Sequence, residues 1–136
     1  MKWLRGLVKR EKGSAPPPLR GVPAVRRQKN YLAMSGYAYE YFYEGMRDRS
    51  GLREHVFTVS GDRKTWFEVQ VLVPASSVAA WETAHRRGLA DNERYAIAKM
   101  ALFEAFDTRE TPLAMNAPVE VTAEQVEDLL GRLGFE

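Results

Sequence analysis

The chain has no cysteine and only two histidines. It also lacks any apolar run of the roughly 18 residues that a bilayer-spanning helix needs. Without cysteine there is no disulfide framework, thiolate nucleophile or cysteine-ligated zinc. The imidazoles, His55 and His85, fit no H-E-x-x-H spacing, and no G-x-x-x-x-G-K-[ST] or G-x-G-x-x-G run is present to cradle a nucleotide. Glu82 and His85 do share one helical face at i, i+3 spacing. A di-metal site needs two such pairs on facing helices, so this one reads as a surface pair. "SGDRK" at 60–64 reads as a hairpin turn, not as the setting of a nucleophilic serine. The sequence therefore nominates no catalytic residue, metal ligand or cofactor, and an enzyme remains only as a third reading, with a pocket that spacing does not reveal.

What is present in abundance is charge, unevenly divided. The 136 residues carry a net +2. Residues 1–30 hold nine Lys or Arg against the single acid Glu11, a balance of +8; residues 31–136 hold eleven basic and seventeen acidic residues, a balance of −6. A basic arm on an acidic body is a pattern of polyanion-binding tails. The arm's cations are Lys2, Arg5, Lys9, Arg10, Lys12, Arg20, Arg26, Arg27 and Lys29.

The segment "MKWLRGLVKREKG" has no h-region, because Arg5, Lys9 and Arg10 interrupt it, and it does not read as a secretory signal. A cytoplasmic protein is expected. Residues 1–12 suit a short amphipathic helix with Trp3, Leu4, Leu7 and Val8 on one face. "GSAPPPLRGVPAVRRQKN" holds four of the seven prolines and reads as an extended, flexible linker. The boundary between arm (1–30) and domain (31–136) is set near Tyr31.

Within the domain, alternation predicts a strand over 37–44, a second in "REHVFTVS" and a third in "TWFEVQVLV". Turn-sized gaps between them imply an antiparallel meander. A helix follows over about 76–85, with Val78 and Trp81 on its buried side. A second spans "ADNERYAIAKMALFEAFDTR", with Asp91 suiting the N-cap. Its stripe is Tyr95, Ala98, Leu102, Ala105 and Phe106, widened by Ile97, Ala101 and Phe103. Thr122-Ala-Glu-Gln matches a capping box and starts a last helix that buries Val126, Leu129, Leu130 and Leu133. The expected fold is α+β: a three-stranded antiparallel meander with two to three helices on one face, in the order β-β-β-α-α-α, behind a basic Pro-rich arm.

Tyr37, Tyr39, Tyr41 and Tyr43 alternate along the first strand. Base-stacking sheets surround their aromatics with cations, whereas the opposite face here offers Glu40, Glu44 and Glu68 beside Phe42 and Trp66. The glutamates belong to solvent and the tyrosines to the core. Three strands followed by "ERYAIAKMALFEAF" resemble the double-stranded RNA-binding domain. The match breaks at the inserted helix over 76–87, and at Asp91, Asn92 and Glu93, which replace the lysines that would grip phosphate. The sequence-level reading is thus a non-enzymatic accessory protein. Its basic arm engages an acidic partner, foremost nucleic acid or a ribonucleoprotein, and its acidic domain is free for a protein partner. The alternative is an anionic membrane surface met by residues 1–12.

Overall fold

Alternating apolar residues build the centre of a curled sheet. In the computed structural model, which describes residues 16–134, five strands run in the order β1 (Lys29–Leu32), β2 (Ala38–Arg49), β3 (Leu52–Ser60), β4 (Phe67–Pro74) and β5 (Val119–Glu120). The first four pair antiparallel and β5 pairs parallel to β4. Three helices accompany them: α1 (Ala75–His85), α2 (Asp91–Thr108) and α3 (Ala123–Leu133), with a 3-10 turn at Pro112–Met115.

The expected meander is its core, but three strands become five. β1 escapes the sequence pattern because its four residues, KNYL, close a basic stretch with no alternation of their own. The β-structure of β5 covers only two residues, fewer than any periodicity can register, and it is held in place by its pairing with Val71 and Leu72.

β2 also outruns its expected end at residue 44. A bulge at Glu44 shifts the register from Tyr43↔Phe57 to Gly45↔Val56, and pairing continues to Arg49↔Leu52. The turn left over is Ser50-Gly51, both at positive φ (53° and 77°), as a two-residue hairpin with matching twist requires. The bulge keeps Tyr39, Tyr41 and Tyr43 on the helix side, then carries Met46 and Asp48 onto that same side opposite His55 and Arg53.

The helices cover this face. Phe57, Val59, Val69 and Val71 are fully buried, as are Ile97, Leu102 and Phe106 of α2. α1 contributes Val78 and Trp81, and α3 contributes Val126, Leu129 and Leu130. The Thr122 box is formed: Gln125 N donates to Thr122 Oγ1 at 3.2 Å and Thr122 N to Gln125 Oε1 at 2.9 Å. α1 begins at Ala75 behind Pro74 without a serine cap; Ser77 instead donates to the carbonyl of Val121 at 3.2 Å, tying α1 to the chain beyond β5. In α2 the capping carboxylate is that of Glu93, which accepts from Ala90 N at 2.9 Å, while Asp91 faces another partner.

On the opposite face Phe42 and Trp66 lie 5.6 Å apart, as their alternation implies. Glu40, however, is buried under Arg63, which donates to it at 2.8 Å. Glu54 is buried too and accepts from Arg47 and Arg49 at 2.8 Å each. These carboxylates are paired rather than solvated.

The end of the Pro-rich segment lies against the sheet. Arg20 N donates to Met46 O at 2.7 Å and Met46 N to Arg20 O at 2.8 Å, extending the β2 edge where β1 stops. Gly45 makes room for this crossing. Its φ is +131°, and a Cβ there would sit 2.8 Å from the Arg20 carbonyl and 3.2 Å from both Leu19 and Val22. Gly45→Ala is expected to cost about 1–3 kcal/mol from backbone strain. It should also speed amide exchange at Met46 relative to the interior β3 amides, which hydrogen-exchange mass spectrometry would show.

Candidate functional site

The nine arm cations meet different fates. Lys2, Arg5, Lys9, Arg10 and Lys12, and the apolar set Trp3, Leu4, Leu7 and Val8, lie outside the described residues. Arg20 is paired with Asp48 at 2.7 Å. Arg26 grips Glu44 through three hydrogen bonds of 2.6 to 3.0 Å, with its guanidinium 3.7 Å above the Phe42 ring. Arg26 holds the Glu44 carboxyl below its ordinary range, helped by a hydrogen bond from Thr58. Both arginines are thus occupied by carboxylates of β2. Arg27 and Lys29 have no ion-pair partner among the described residues.

Those two residues line a cleft of about 610 Å³. One side is the strap 21–29, which contributes Pro23 and Val25 as well as the two cations. The floor is the helix-facing surface of β2 and β3, where Tyr41, Tyr43, Met46 and His55 come together. The far wall is the start of α2, with Asp91 and Tyr95. Antiparallel pairing of Lys29 with Tyr41 puts their side chains on one face, which is why a strand from the basic segment points a lysine toward this cleft.

The electrostatics divide cleanly. Arg53, also in the lining, donates to Asp48 at 2.7 and 3.1 Å and to Asp91 at 3.0 Å. This trio joins the β2–β3 hairpin to α2, and it holds both aspartates below the ordinary carboxylate range. Asp91 is therefore committed within the protein. Lys99, two turns beyond the start of α2, is lowered from its usual value by burial and by the positive charge of Lys29.

His55 is almost wholly enclosed, at 1% exposure. Its Nδ1 lies 3.0 Å from the Tyr43 hydroxyl, and its Nε2 has no partner among the described residues. Burial, reinforced by Arg53, pushes the imidazole down to about 4, so it is neutral at pH 7. Burial also raises Tyr43 above the normal phenol value. Two neutral groups that resist ionisation are suited to a fixed hydrogen bond, and poorly matched to proton transfer near neutral pH. No family model, curated protein or solved structure matches the chain.

The remaining candidates from the sequence resolve into structural contacts. His85 stacks on Trp81 at 4.2 Å and approaches Glu127 at 3.2 Å, while Glu82 accepts from Leu89 N at 2.7 Å. The Glu82–His85 spacing thus does not make a pair. No cluster of three or more potential metal ligands occurs among the described residues. Ser60 receives the amide of Arg63 at 2.8 Å, and Asp62 caps Lys64 and Thr65 at 2.8 Å each, which makes 60–65 a hydrogen-bonded turn. No described helix is long and apolar enough to cross a membrane.

The sequence named Arg27 and Lys29 but missed what faces them. Tyr41, Tyr43 and Tyr95 read as core, and only the gap between strap and α2 turns their edges into a cleft. No spacing in the sequence signals that gap.

Proposed function

We propose that this chain is a non-enzymatic binding protein whose basic arm engages an acidic partner, foremost nucleic acid or a ribonucleoprotein. The observation that carries the reading is the division of charge. Residues 1–30 hold +8, and only Arg20 and Arg26 of the described arm cations are neutralised by the domain's own carboxylates. Pinning at Arg20 and Arg26 anchors the arm to the β2 edge and leaves Arg27 and Lys29 beside it. Contacts of this kind with phosphates are sequence-independent and are weakened by salt, because each neutralised phosphate releases counterions. The domain surface, with its acidic balance, stays available to a protein partner.

Fluorescence anisotropy with a labelled single-stranded oligonucleotide tests this. If about five cations contact phosphate, affinity falls about 100-fold between about 50 and 200 mM salt. Replacing Lys2, Arg5, Lys9, Arg10 and Lys12 with serine flattens that dependence, whereas Trp3→Ser with Leu7→Ser leaves it intact. A salt-independent affinity, or one that survives the five substitutions, overturns the reading. Loss of binding to anionic vesicles on Trp3→Ser with Leu7→Ser, with no oligonucleotide binding, favours the membrane surface instead.

A further inference from the structure

The cleft beside the strap is not needed for the arm to meet a polymer, and its lining has a chemistry of its own. Its volume, about 610 Å³, lies in the range of small-molecule sites. Its floor and far wall present phenol rings: Tyr41, Tyr43 and Tyr95, with Tyr43 and Tyr95 centroids 4.7 Å apart in an edge-to-face arrangement. The Tyr43 hydroxyl is engaged by His55, so Tyr43 offers its ring rather than a polar group. Aromatic walls of this kind favour a planar or aromatic body through stacking and edge contacts.

Apart from the Arg53–Asp91 pair, the charges of the lining are of one sign. Asp91, the acid of the lining, is bound to Arg53, which leaves Arg27 and Lys29 as cations without a carboxylate. Lys99 stands close enough to Lys29 to feel its charge, and it too lacks an ion-pair partner among the described residues. Like charges held together cost free energy that a bound anion removes.

We propose that the cleft between the strap 21–29 and the start of α2 binds an aromatic organic anion, its ring against Tyr41, Tyr43 and Tyr95 and its acidic group at Arg27 and Lys29. The cleft shares Arg27 and Lys29 with the polymer-binding arm, but the five substitutions at Lys2, Arg5, Lys9, Arg10 and Lys12 test the arm without touching the cleft, so the two readings fail separately.

The matched fluorescent probes 8-anilinonaphthalene-1-sulfonate and N-phenyl-1-naphthylamine test this on the full chain, because they share a ring system and differ in the sulfonate. The sulfonate is expected to saturate one site and to bind about tenfold or more tighter than the neutral probe, the scale of one charge-assisted contact. Arg27→Ser with Lys29→Ser should weaken the sulfonate about tenfold and leave the neutral probe within about twofold. Val25→Trp, made at a strap position that is 60% exposed, should plug the cleft and abolish both. Unchanged urea midpoints for the variants show that the fold is retained. The proposal is overturned if the wild type shows no saturable binding, if Val25→Trp leaves the sulfonate bound, or if the double substitution affects both probes alike.

Discussion

Phe106→Ala is expected to lower the unfolding free energy by about 3–5 kcal/mol, the usual cost of deleting a buried aromatic side chain. Phe106 is fully enclosed and joins α2 to the sheet. Its ring stacks on Tyr39 at 4.2 Å and lies 5.6 Å from Tyr31 and 6.2 Å from Tyr41. Truncation removes apolar contact and leaves a void that three rings, each anchored to a strand, cannot all collapse to fill. Against a total stability of about 5–15 kcal/mol for a domain of this kind, that loss is a large fraction. Urea denaturation followed by circular dichroism reads it directly. Because α2 also carries Tyr95 and Asp91 at the cleft, probe binding there should fail together with the fold. A loss under 1 kcal/mol would mean that the Tyr39–Phe106 stack contributes little to holding α2 down.

Acid should destabilise the protein through His55 before it does so through the carboxylates. In the folded chain the imidazole titrates near 4, against about 6.5 when unfolded. Between those values the unfolded chain binds a proton that the folded chain refuses, so stability falls as pH falls through 6.5. The loss reaches about 2 kcal/mol by pH 5 and levels off near about 3 kcal/mol below pH 4. The carboxylates act lower: Glu93, engaged by Arg87 and by the amide of Ala90, is held at about 2. Its contribution is therefore present above the ordinary glutamate value near 4.5 and is lost as pH falls toward 2. Urea midpoints at pH 7 and pH 5 for the wild type and for His55→Leu separate the two effects. The variant keeps the carboxylate dependence and loses the imidazole's, so its midpoint should shift much less over that interval. Equal shifts in the two proteins would show that His55 ionises normally in the folded state.

Much of this architecture is written in local periodicity. Period-two alternation places Phe67, Val69, Val71 and Val73 on one face of β4, and the two glutamates opposite the tyrosines orient β2. Helical spacing from Ala98 to Phe106 describes the buried stripe of α2, and Thr122 with Gln125 marks the start of α3. Each is a statement about one element and which of its sides leaves water, and that information is carried by neighbouring residues.

Tertiary structure decided the rest. The two residues of β5 are a strand only because β4 offers them free backbone partners, and β1 because β2 does. Arg20, Arg26, Arg27 and Lys29 are equivalent as letters in a basic run. Two of them lie within 3 Å of an acid's oxygen and two face a cleft, a difference set by how the strap crosses Gly45. Glu40 looks solvent-facing by alternation yet is buried beneath Arg63, since alternation reports the side of the sheet but not what lies over it. His55, too, is read from the sequence as a strand residue beside a glutamate. Its enclosure by Tyr43, the Arg53 network and α2 makes it a neutral, half-satisfied wall of the cleft, because desolvation depends on everything packed around a group and not on its sequence neighbours.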